Sequence, residues 1–219
     1  MAERAQQLTR VWPGIGAAII VAALTLGTVV AILARSGGSG GFGPADWSAI
    51  RFTLVQALLS AFLSTALAIP LSRALARRNF PGRRFLVLLL AAPFILPVIV
   101  AVLGILAVFG RSGLFSDLLL LIGMEPIHIY GLQGVVLAHV FFNLPLATRL
   151  LLQGWQAIPA ERFRLAASLG FRPADVQRVL EWPMLRQLVP GIFVTIFVIC
   201  TTSFAVALTL GGGPRATTV

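Results

Sequence analysis

A chain of 219 residues that is 58% hydrophobic and 11% charged, with a mean hydropathy of +0.95, is too apolar for a soluble domain of this length. Its 17 basic residues are all arginine and face only 7 acids, but they cluster between apolar runs, so they read as membrane topology and nucleic acid is set aside as a partner. The single cysteine, Cys200, lies inside an apolar run, which excludes a disulfide framework and a thiolate metal site.

In chain order, the first apolar run covers about residues 12–34, long enough to cross a hydrocarbon core of roughly 30 Å. It exceeds the core of a signal peptide by a wide margin, so it reads as a first span. The Gly/Ser-rich stretch at 36–44 is a flexible connector. A second span, about 48–72, leads into RALARRNFPGRR, where Arg73, Arg77, Arg78, Arg83 and Arg84 mark the cytoplasmic side and suit anionic lipid headgroups as well. The third, about 85–109, contains Pro93 and Pro97 and is expected to be one kinked helix. Residues 114–122 read as a short surface helix, too short to span. A fourth span, about 131–152, places His139 and Asn143 four residues apart on one face. A fifth, about 188–210, ends in GGGPRATTV. With the N-terminus inside, both Arg-rich loops fall in the cytoplasm, and only Arg35, Arg51, Arg111 and Arg215 lie outside.

Between spans four and five runs the one long polar interruption, WQAIPAERFRLAASLGFRPADVQRVLEWPMLRQLVP, from Trp155 to Pro190, with the loop proper over about 155–187. Pro159 opens one helix, Gly170 closes it in the left-handed conformation, and Arg172-Pro173 starts a second. Ala166, Ala167 and Gly170 give the first helix a surface without bulky side chains, which another protein can approach closely. In the second helix Val176, Val179 and Leu180 form a stripe, Arg178 and Glu181 point elsewhere, and Pro183 stops or kinks the helix. A surface helix lying between two spans is the plainer reading of the same residues.

From Arg164 to Pro183 the spacing resembles the cytoplasmic coupling loop of binding-protein-dependent ABC importer permeases, E-A-A-x3-G-x9-I-x-L-P. Ala166, Gly170 and Pro183 match by identity, with Leu180 in the Ile place and Trp182 in the Leu place. Arg164 stands where the family has Glu, and Leu165 where it has the first Ala, so a contact made by that Glu does not carry over. Two further stretches, YGLQGVVLAHVFFNLP and LGGGPRATT, together with EWP at 181–183, resemble the thiamine and thiamine pyrophosphate importer permeases over nearly the whole chain.

The resemblance implies an all-α, polytopic helical membrane protein of the type I ABC importer transmembrane-domain fold, with about five of six spans present. It implies that the chain is the first, incomplete half of a permease whose second half follows in the same polypeptide. The expected location is a bacterial inner membrane and the expected cargo thiamine and its phosphates, handed over by a periplasmic binding protein. Two copies of a separate ATPase would bind the ATP, so this chain would need no cofactor of its own. Arg164, Ala166, Ala167, Gly170, Leu180 and Pro183 are then the residues of ATPase coupling.

His139 and Asn143 are candidates for the substrate pathway, with an interhelical hydrogen bond as the commoner use of such residues. Thiamine is a cation with two aromatic rings, and the spans hold almost no acids, so specificity falls to the binding protein. Iron, sulfate or a polyamine remains open as cargo. An intramembrane enzyme would require H-E-x-x-H, paired aspartates or a Ser–His pair, and a nucleotide site would require a Walker A loop; none is present. A non-transporting assembly subunit stays open.

Overall fold

The computed structural model describes residues 15–16, 18–24, 26–27, 30–31, 43–126 and 128–211. The chain divides into two units, Met1–Pro44 and Ala45–Val219. In the first, the described residues between 15 and 31 are helical, while the ends of the first expected span and the Gly/Ser connector up to residue 42 lie outside the described residues.

The second unit is built of helices. These are α1 (Pro44–Arg77), α2 (Arg83–Leu89), α3 (Ala92–Ile95), α4 (Val98–Phe109), α5 (Leu114–Leu121), α6 (Leu132–Ala157), α7 (Ala160–Ser168), α8 (Pro173–Val176), a π-helical turn (Gln177–Glu181), α9 (Trp182–Thr201) and α10 (Phe204–Leu210). Among the described residues four stretches are long and apolar enough to cross a membrane: Asp46–Arg77, Val98–Leu121, Leu132–Ala157 and Pro173–Thr201. The unit is an all-α, multi-pass membrane fold.

α1, α6 and α9 are the frame. The buried face of α1 carries Gln56, Ala57, Ser60, Ala61, Ser64, Thr65, Ala68 and Ser72, with Leu75 near its end, whereas its outer face carries Leu54, Leu58, Leu59, Phe62 and Leu67. Lipid tails are as apolar as leucine, so helices in a bilayer gain little by hiding large apolar groups from them; small residues instead let backbones approach and pack. Against that face lie Ala147, Leu151 and Trp155 of α6 and Leu185, Ile192, Ile196 and Cys200 of α9. A side-chain carbon added at Gly154 would run into Leu188 Cδ1 and come within 3.0 Å of Met184 Sδ, so a larger residue there would require those two side chains of α9 to turn aside. A second cluster at the other end joins Val102 and Ile105 of α4, Ile129, Val135 and Ala138 around the start of α6, and Val206 and Leu210 of α10. Its backbone is tied as well: Gly131 N–H donates to Leu210 O at 2.8 Å.

Two expected spans are segmented. Instead of one kinked helix over 85–109, the chain forms α2, α3 and α4, with a break at Leu96-Pro97 where Leu96 is extended, ψ 131°. Steric conflict between a proline and the preceding residue's helical conformation accounts for that break. The expected short helix at 114–122 is present as α5, folded onto the end of α4 by Ser116 Oγ donating to Gly110 O at 2.7 Å. The fifth span begins earlier than expected, at Trp182, and is interrupted at Thr202-Ser203 before α10.

Candidate functional site

The polar interruption folds as the local sequence dictates. Pro159 is the N-cap residue of α7. At its C-terminal end Phe171 N–H donates to Ala166 O at 3.0 Å and Gly170 N–H to Ala167 O at 3.1 Å, the paired bonds of a Schellman closure. Gly170 has φ +70°, as that closure requires, and among the described residues, apart from its chain neighbours, no atom lies within 4 Å of where its side chain would be. Arg172 is the N-cap of α8, with Pro173 at the first helical position and the Asp175 carboxylate accepting the Arg172 backbone N–H at 3.0 Å.

Beyond this point the expectation needs correction. Pro183 neither stops nor ends the helix; it sits in the first turn of α9, immediately after the π-helical turn. Widening the preceding turn removes the need for the amide hydrogen that proline lacks, and the chain continues into α9. The π turn also breaks the 3.6-residue period on which the expected stripe rested. Glu181, expected to point away, is 1% exposed, while Val179 is 53% exposed and Leu180 half-buried.

Glu181 is the centre of an ion cluster that joins three elements. Arg73 Nε donates to Glu181 Oε2 at 2.9 Å, and Arg77 Nη2 donates to Oε1. The same Arg77 guanidinium lies 4.2 Å from the centroid of the Phe163 ring on α7. Next to Arg73 on α1, Ser72 Oγ accepts a hydrogen bond from Trp155 Nε1 at 3.0 Å. Arg73, Arg77, Glu181, Phe163 and Ser72 were not candidates from sequence. An acid between Leu180 and Trp182, and an arginine pair spaced by one turn, were the available signals.

The small-residue surface is divided. Ala166 is buried at 4%, facing the rest of the unit, whereas Ala167 and Gly170 are exposed. Arg164 and Pro183 are exposed too, and Leu180 is half-buried.

His139 and Asn143 are brought together within the helical frame. They are 2% and 4% exposed. His139 Nδ1 lies 3.4 Å from Ser60 Oγ of α1, and Asn143 Nδ2 donates to His139 O at 2.8 Å and approaches Cys200 Sγ at 3.4 Å. Gln56 Nε2 adds a bond to Cys200 O at 3.0 Å, so α1, α6 and α9 share one buried polar network. Among the described residues no group of three His, Cys, Asp or Glu is placed to hold a metal ion.

Comparison with known proteins fits this architecture. The chain is 47% identical over its full length to the thiamine transport system permease protein ThiP of Escherichia coli, and 44% identical over 93% of its length to that of Brucella abortus. Over nearly all of its length the chain is thus similar to proteins named as thiamine transport permeases. It spans 42% of the length of the Escherichia coli protein. A probable sulfate transport system permease protein cysT of Helicosporidium is 31% identical over 65% of the chain and 52% of its own length. No protein-family model matches the chain.

Proposed function

We propose that this chain is the first, incomplete transmembrane domain of an ABC importer permease in a bacterial inner membrane. Its N-terminus is cytoplasmic, and the remaining part of the permease supplies a second transmembrane domain. The cargo is thiamine and its phosphates, received from a periplasmic binding protein. Two copies of a separate ATPase dock on the segment 155–187, and the permease itself breaks and makes no bonds. The observation that carries the reading is the two-helix segment α7–α8. It is exposed on Arg164, Ala167 and Gly170, closed at a left-handed glycine, and joined without interruption to α9.

Such a segment transmits force because it is stiff where it meets the bundle and open where a partner meets it. Closure of the ATPase dimer on ATP displaces α7; α9 and α6, packed side by side, change inclination, and access switches from one face of the membrane to the other. His139 and Asn143 serve as interhelical bonds in this scheme, supported by their burial and by their partners on α1 and α9. A cationic cargo then meets a neutral pathway, with recognition left to the binding protein.

Likeness to a sulfate permease supports a second reading of cargo alone, with the coupling unchanged. Reconstitution of the full-length permease with its ATPase separates the two. Stimulation of ATP hydrolysis by a thiamine-loaded binding protein supports the proposal, and stimulation only by a sulfate-loaded one replaces the cargo.

A further inference from the structure

The Glu181 cluster has a mechanical consequence that neither the loop's exposed surface nor the family relationship supplies. Along the chain, α7 is connected to α9 only through Gly170, which has φ +70°, and then through α8 and the π turn. The helix axis is broken at that glycine, so α7 and α9 do not form one continuous rod along the chain. Across space the connection is short. Phe163 on α7 lies under the Arg77 guanidinium at 4.2 Å, and Arg77 and Arg73 hold the two carboxylate oxygens of Glu181 at the foot of α9. Arg73 and Arg77 are one turn apart on the last part of α1.

We propose that Glu181 is a positioning residue for energy coupling: with Arg73, Arg77 and Phe163 it clamps α1, α7 and α9 so that they move as one body when the ATPase acts on α7. This rests on the proposed ATPase docking. The carboxylate is 2% exposed and both arginines are partly exposed at 41% and 35%, so the acid is the buried member and the arginines reach in to it. An acid at that depth is costly unless both oxygens are satisfied, and here each receives its own guanidinium. The fork geometry suits arginine and not lysine. α1 already packs on α6 and α9, and the Arg77–Phe163 contact adds a direct tie from α1 to α7.

The test uses the full-length permease with its ATPase and binding protein in proteoliposomes, reading cargo taken up per ATP hydrolysed alongside the amount of ATPase that co-purifies. Glu181→Gln keeps size and removes the charge. The expected result is normal ATPase recovery with uptake per ATP reduced about tenfold, within the usual range of coupling effects. The exchanged pair Glu181→Arg with Arg73→Glu, which restores opposite charges across the same contact, is expected to recover part of that loss. Normal uptake per ATP in Glu181→Gln overturns the clamp. Should Glu181→Gln fail to accumulate, Phe163→Leu leaves both ion pairs in place and removes only the ring beneath Arg77. A lowered ratio then supports the clamp and an unchanged ratio overturns it. Absence of ATPase from the wild-type complex would instead remove the docking proposal itself.

Discussion

Trp155 and Ser72 are joined by a hydrogen bond of 3.0 Å between an indole N–H near the end of α6 and a hydroxyl on α1, 83 positions apart in sequence. The bond lies one residue from Arg73, so the helix that leads into the exposed segment is fixed to α1 just where the ion cluster begins. Trp155→Phe keeps the ring and removes the donor. It is expected to lower stability by about 0.6–1 kcal/mol, the usual worth of such a bond between membrane helices. Ser72→Ala should cost a similar amount, and the double variant little more than either alone. Additive losses in reversible unfolding would show that the two groups act independently.

Gly170 separates two requirements that coincide in one residue. Its left-handed φ of +70° costs a β-carbon-bearing residue roughly 1–2 kcal/mol, and most for a branched one, whereas asparagine visits that region readily. Among the described residues, apart from its chain neighbours, nothing lies within 4 Å of the added carbon, so a need for a bare backbone there points to a partner. Gly170→Val is expected to insert into the membrane but lose ATPase recovery. Gly170→Asn should keep near wild-type stability and still recover less ATPase. Full recovery by the Asn variant would reduce the role of Gly170 to the turn alone.

His139→Ala tests whether the buried polar network is structure or pathway. Loss of the contact to Ser60 is expected to lower stability by about 0.6 kcal/mol while leaving the apparent affinity for cargo unchanged in correctly inserted protein. A shifted cargo preference would place His139 on the route.

Gly154→Val puts branched carbons where Leu188 and Met184 already stand, so α9 must move outward or both side chains must turn aside. Overpacking of this kind costs about 1–3 kcal/mol. The expected result is a lower unfolding midpoint, partly restored by Leu188→Ala. No change in midpoint would mean that α6 and α9 adjust freely at this crossing.

Much of the polar segment was legible because its signals are local. Pro159, Gly170 and Arg172-Pro173 each act within a few residues, and each stands where its backbone chemistry puts it. The inward turn of Glu181 was not legible, because a stripe read at 3.6 residues per turn carries no sign of a π-helical turn. Nor did hydropathy reveal which side of α1 is inside. Phe62 and Leu67 are exposed while Ser60, Ser64 and Ala57 are buried, the reverse of the pattern that burial gives in water. The break after Leu96 was signalled by Pro97, but proline permits either a kink or a break, and neighbouring helices decide between them.

Site-directed cross-linking measures the central claim most directly. Cys200 is 1% exposed, so the native thiol leaves a quiet background. Cysteine introduced for Arg164 or Ala167, both exposed on α7, is expected to react with a membrane-impermeant reagent only from the cytoplasmic side and to form a cross-link to the ATPase subunit in the assembled transporter. Labelling from the periplasmic side, or an assembled transporter in which neither position ever links to the ATPase, would contradict the account.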